Sequence, residues 1–285
     1  MATQEGARTR VAVACQGGGS HTAFTAGVLQ GMLMGCPPDV DIVALSGTSG
    51  GAICATLAWE GMLRRNHDLA FSKLGGFWKR MAARGLVDKF TNQALMSVMS
   101  LRDRMVLPEV SPYQLPTWSA DYFREVLLEF FDFDEVRKLA AQDDAPALKI
   151  GAVEVLSGHF ELFTGTELRV DHAVDEIWLI QINPSTAPSV PTETHEILDR
   201  RNALSGNLSM EQELRFIQSI NRAIARGDLQ NPRFRPIRIS RIALDRDLDS
   251  RTKLDRRPGL LEELREHGRT KWRWFAKERA EARGP

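Results

Sequence analysis

Apolar residues recur along this chain in two rhythms. Near the start, Val11, Val13 and Cys15 alternate with alanines, while Ile42, Val43, Ala44 and Leu45 form a continuous run, and both patterns read as short buried strands. Each is followed by a glycine-rich turn and then a helical pattern, from about His21 to Met34 in the first unit and from Ala52 to Trp59 in the second. From Leu57 to Met105 the spacing is helical, with basic patches at Arg64, Arg65, Lys73, Lys79, Arg80 and Arg84. Met105 to Trp118 carries Pro108, Pro112 and Pro116 and reads as a loop. Ser119 or Asp121 then caps a helix with the stripe Phe123, Val126, Leu127, Phe130 and Phe131.

The rhythm changes again in the second half. Leu148 to Phe163 reads as a hairpin turning at Ser157-Gly158, and Asp175 to Asn183 as a strongly apolar strand. Glu193 to Arg226 is helical, Pro236 to Leu244 alternates like an edge strand, and Gly259 to about Glu281 is a charged amphipathic helix. Strands alternating with helices define an α/β fold with a mostly parallel sheet. The expected organisation is one domain over residues 8–185 followed by a helical C-terminal extension with one edge strand over residues 186–285.

Composition narrows the function classes. Thirty-seven Lys+Arg against 37 Asp+Glu leave a formal net charge of zero, so no overall field recruits nucleic acid or an anionic membrane. Membrane contact must then be local and transient. Cys15, Cys36 and Cys54 sit among small or apolar residues, as buried reduced thiols do. Met1 to Arg10 is polar with no apolar leader, and no run is long enough to span a bilayer, so the expected location is cytoplasmic with at most peripheral membrane contact. No metal-ligand spacing and no cofactor motif is present. Gly17 to Thr22 fails as a dinucleotide loop because Thr22 stands at the third glycine position, and no Gly-Lys-Ser/Thr follows. The oligomeric state is not legible.

Candidate chemistry sits in the two turns. Gly47-Thr48-Ser49-Gly50-Gly51 between strand and helix is a G-x-S-x-G elbow, in which Gly47 and Gly51 permit the tight backbone that lifts the Ser49 hydroxyl clear of the sheet. Gly17-Gly18-Gly19 precedes the other helix and can aim its amides into one small volume, as an oxyanion hole does. His21 reads equally as a polar first-turn residue and as a group near that anion. An α/β-hydrolase triad would draw on His195 or His267, and neither has a supporting motif.

Val11 to Leu29 together with Gly47 to Ala52 resemble the two hallmark blocks of the patatin-like phospholipases, serine lipid acyl hydrolases of three-layer α/β/α architecture. The resemblance implies that Ser49 is the nucleophile, that Gly17, Gly18 and Gly19 form the oxyanion hole, and that the substrate is a lipid or other acyl ester. It also implies a Ser-Asp dyad whose aspartate lies in an Asp-Gly-Gly or Asp-Gly-Ala block. This chain contains neither tripeptide: Val170-Asp171-His172-Ala173 runs straight into Val174-Asp175-Glu176. Roughly a few dozen family residues are therefore absent near Ala173/Val174. Asp171 and Asp175 are the nearest carboxylates in sequence, and the chain is expected to be a weak or inactive hydrolase. The rival expectation is a lipid-binding or regulatory protein without turnover.

Overall fold

A computed structural model of the chain describes residues 8–102, 118–142, 145–164, 174–187, 189–246 and 248–283. Its centre is a six-stranded sheet in the order β4-β3-β2-β1-β5-β6, with β1 at Thr9–Cys15, β2 at Val40–Thr48, β3 at Ala147–Val153, β4 at Phe160–Thr164, β5 at Glu176–Gln181 and β6 at Arg238–Ala243. All neighbours are parallel except β3 and β4, which form the antiparallel hairpin expected from sequence. The loop expected over Met105–Trp118 falls mainly on residues outside the described set.

The period-two pattern decides which face holds the core. Val11, Val13 and Cys15 of β1 share one face with Ile42 and Leu45 of β2 and with Trp178 and Ile180 of β5, and all of them are buried. Helices α1 (Ala23–Gly35), α2 (Ser49–Leu63), α3 (His67–Met81) and α8 (Pro258–Arg283) build the core with that face. Helix α1 is apolar around its whole circumference because it is enclosed on all sides. Its approach to α8 is backbone to backbone: a Cβ added at Gly27 would stand 1.9 Å from the Arg265 carbonyl oxygen, and one at Gly268 would stand 2.2 Å from that of Phe24. Trp272 packs with Trp178 and Phe275 at ring centroids 5.3 and 5.7 Å away, so the C-terminal residues expected as an extension contribute a helix to the core and β6 to the sheet. Phe77 and Trp78 of α3 are buried in the core.

The long helix α7 (Thr194–Arg226) links β5 to β6 and lies against the other face, as a right-handed crossover requires, where Glu211 meets Arg241 of β6 at 2.8 Å. Its start carries a capping box between Glu193 and Glu196, and Gly227 closes its end with φ at 77°. Helices α4 (Leu86–Arg102), α5 (Trp118–Phe130) and α6 (Phe133–Ala140) lie between α3 and β3 in sequence. One buried carboxylate locks α2 to α3: Glu60 is fully enclosed and accepts from Lys73 at 2.7 Å and Arg64 at 3.0 Å.

Candidate active site

Parallel β1, β2 and β5 end together, and the loops leaving them meet at one rim of the sheet. Strand order reverses around β1, with β2 on one side and β5 on the other, and such a switch point opens a crevice at the carboxyl ends of strands. Strand β2 stops at Thr48 and α2 starts at Ser49, whose φ of +51° lies in the left-handed region that a serine occupies at a cost of about 1–2 kcal/mol. Ser49 is exposed at this bend. The elbow is possible because its glycines have no side chain: a Cβ at Gly47 would stand 2.7 Å from the Ala52 nitrogen, and one at Gly51 would stand 2.5 Å from the Cys15 carbonyl oxygen.

The glycine run leaving β1 lies directly beside this bend. A Cβ at Gly17 would stand 3.2 Å from that of Ser49, and the Gly17 N–H donates to Thr48 Oγ1 at 3.1 Å. Gly19 has φ at +55° and abuts the carbonyl oxygen of Lys253, in the 3₁₀ turn Ser250–Leu254; Gly18 abuts Ile182 after β5. The two glycine-bearing motifs, more than twenty residues apart in sequence, thus share one rim. The Gly17 amide is already engaged by Thr48, and the amides of the first turn of α2 begin at Ser49 itself.

Neighbouring nucleophiles are quiet. Cys15 and Cys54 are buried free thiols, and burial pushes the Cys54 thiol up to about 12, so neither carries thiolate at neutral pH. His21 is buried and pairs with Thr252 at 2.6 Å. Burial first, and then the Lys253 charge, lower its imidazole to about 4, against a smaller opposing effect of Asp255. It is a neutral strut between the first turn and the Ser250–Leu254 turn. His267 is held by Asp245 at 2.8 Å and lies against the Phe24 ring. The side chain of His195 and the whole of Asp171 lie outside the described residues.

Asp175 is at the wrong end of the sheet. It donates its N–H to the Arg10 carbonyl at 2.8 Å and accepts the Arg10 N–H at 2.9 Å, while Arg10 pairs with Asp41, eight residues before Ser49 along β2. At about 3.3 Å per residue the separation from Ser49 is of order 25 Å. Its position leading into β5 explains why: it closes the sheet's N-terminal edge. A residue that sequence reasoning passed over is Gln16. Its Oε1 accepts the amides of Ile182 and Asn183, both at 2.8 Å, and its Nε2 donates to Asn207 of α7 at 2.7 Å. The legible signal was a polar side chain between a buried strand and the glycine run.

Residues 13–146, just under half of the chain, match the family model described as patatin-like phospholipase. No curated protein matches the chain. Among solved structures it is similar to the type III effector protein ExoU, at 14% identity and a TM-score of 0.39 over 96% of this chain and 54% of that one. It is also similar to the heterodimeric ExoU-SpcU complex from the type III secretion system of Pseudomonas aeruginosa, at 13% identity and a TM-score of 0.30 over 93% of this chain and 52% of that one. The chain thus spans about half the length of these neighbours. No helix among the described residues is long and apolar enough to cross a membrane, and no cluster of three metal-ligating side chains occurs among them.

Proposed function

We propose that the chain is a serine hydrolase of fatty-acyl esters, of the phospholipase or esterase type. The reading is carried by one observation: Ser49 stands exposed at a left-handed elbow with the Gly17–Gly19 backbone packed against it. In this mechanism Ser49 Oγ attacks the ester carbonyl while its proton passes to a base. The carbonyl oxygen takes up negative charge against the Gly18 and Gly19 amides and the start of α2, a preorganised stabilisation usually worth several kcal/mol. The alcohol leaves with a proton, and water then cleaves the acyl-enzyme to a free fatty acid.

Asp175, about 25 Å away by strand length, is not that base. The same fact, together with the missing Asp-Gly-Gly or Asp-Gly-Ala block, favours a second reading in which the pocket binds acyl lipids and turns them over slowly or not at all. A fluorophosphonate probe and a p-nitrophenyl ester separate the two. Hydrolysis with probe labelling, both abolished in Ser49→Ala, is the expected result. Wild-type turnover in Ser49→Ala would overturn the nucleophile assignment, and fatty-acid binding with neither labelling nor turnover would establish the second reading.

A further inference from the structure

The β3–β4 hairpin exposes apolar side chains where a soluble surface has no use for them. Strand β3 pairs with β2 so that Gly151 lies beside Thr48, the residue before Ser49, and then runs beyond the end of β2. The chain turns over residues 154–159, and this turn is preorganised. Glu154 and His159 close it backbone to backbone at 2.9 Å, the Gly158 N–H donates to the Glu154 carbonyl at 2.8 Å, and the Ser157 hydroxyl donates to the Glu154 carboxylate. At its apex stand Val155 and Leu156, 88% and 96% exposed. Turn apices normally carry Gly, Asn, Asp or Ser, so two bare aliphatic chains there stand out.

The exposed apolar surface continues from the apex towards the elbow. Val153, Phe160 and Leu162 share the face turned away from the core and are all more than half exposed. A Cβ at Gly151 would stand 2.9 Å from the Phe160 ring and 3.1 Å from the Thr48 methyl, so Phe160 and Thr48 flank one glycine. A second apolar element reaches the same rim. The short link Arg64–Asn66 turns α3 back against α2, towards the elbow end, and the Ala83 N–H then donates to the Arg256 carbonyl at 2.9 Å, just beyond the turn that abuts Gly19. Helix α4 starts from there with Leu86 and Phe90, 88% and 78% exposed.

We infer that the β3–β4 hairpin is a lipid-docking wedge, in which Val155 and Leu156 enter the acyl region of a membrane surface and Val153, Phe160 and Leu162 form an apolar ramp from that surface to Ser49. Several observations select a lipid surface over other occupants. A partner adding a strand to the outer edge of β4, the end of the sheet among the described residues, would pair its backbone but would leave the apex residues bare, because they lie off the ladder. The ionisable residues of the hairpin beyond Gly151 are Glu154, His159 and Glu161, with no Lys or Arg among them, so the wedge suits a zwitterionic interface entered by apolar burial rather than by attraction to anionic lipid. The choice of partner rests on the acyl-ester reading above, but docking needs no turnover.

The test is flotation of the Ser49→Ala protein with phosphatidylcholine vesicles, beside the same protein carrying Val155→Asp and Leu156→Asp. The expected result is binding by the first and a loss of about tenfold or more in partitioning by the second. Circular dichroism and retained Ser49-dependent cleavage of a soluble p-nitrophenyl ester, measured in the Ser49 background, show that the apex variant folds. A separate Leu156→Trp variant reports insertion directly, through quenching of its added emission by brominated phosphatidylcholine. Equal flotation of the two proteins, no binding at all, or absence of quenching would each overturn the wedge. So would a dimer in solution that the Asp substitutions dissociate, which would make the hairpin a contact between copies. Failure of the protein with its native apex to dock, with its Ser49-dependent ester cleavage intact, defeats the wedge alone, whereas docking without any Ser49-dependent cleavage defeats the hydrolase reading alone.

Discussion

Ser49 and His21 are both residues held in states they would not choose in isolation. Ser49 keeps a left-handed backbone because Gly47, Gly51 and the Cys15 carbonyl leave α2 no other way to start, and strain of this kind concentrates at functional turns. His21 keeps a neutral ring inside the rim because protonation would bury a charge beside Lys253. This makes a pH prediction with a definite sign. Its folded pKa of about 4 lies below the unfolded value of 6.5, so the unfolded chain binds the proton more readily. Stability is unaffected above pH 6.5 and falls as the pH drops, by about 1.4 kcal/mol per unit, levelling off near pH 4 after a loss of about 3 kcal/mol. His21→Gln keeps a hydrogen-bonding partner for Thr252 without the titration. Thermal unfolding from pH 7 to 4 should therefore show a steeper decline of Tm in the native protein than in His21→Gln. Parallel curves would mean that the ring is accessible to protons in the folded state.

At the scale of elements, legibility in the sequence follows the range of the cause. The strand, elbow and helix around Ser49 could be read locally because glycine placement and apolar period act within a few residues. The β3–β4 hairpin was legible from Ser157-Gly158 for the same reason, and β6 from the alternation of Ile237, Ile239 and Ile242. The crossing of α1 and α8 was not, since Gly27 and Gly268 reveal their purpose only when two backbones 241 residues apart meet. Nor was the tie from α7 to the rim, which hangs on Gln16. Replacing Gln16 by Leu keeps the volume but leaves the amides of Ile182 and Asn183 and the carboxamide of Asn207 without their partner. Two or more stranded polar groups cost about 2–4 kcal/mol. The urea midpoint should drop accordingly, with the slope unchanged, and amide exchange should rise first around Ile182 and along the first half of α7. An unaltered midpoint would show that α7 is held by its other ties, among them Glu211–Arg241 and Asn221 to the Ile237 backbone, without help from Gln16.

For the whole molecule, the arrangement of the sheet decides what catalysis can be expected. Ser49 and the Gly17–Gly19 loop, proposed as nucleophile and oxyanion hole, share the rim at the carboxyl ends of the strands, whereas Asp175 closes the opposite edge through Arg10. The resemblance read in the sequence implies an aspartate delivered by an Asp-Gly-Gly or Asp-Gly-Ala block, absent here between Ala173 and Val174. A serine hydroxyl without a positioned base lacks the help that typically supplies about 10²- to 10⁴-fold in rate. Wild-type turnover of a p-nitrophenyl ester should therefore be low, and restoring an Asp-Gly-Gly-bearing segment between Ala173 and Val174 should raise kcat by about that factor while leaving fluorophosphonate access to Ser49 intact. The gain should vanish when the introduced aspartate is changed to Asn, because the amide cannot accept the proton. Asp175→Asn in the native chain should lower stability at the Arg10 edge and leave kcat unchanged. Robust Ser49-dependent turnover by the native chain, equal to that of the restored one, would refute this account. A base from another element would then be required, with Asp171 the first residue to mutate.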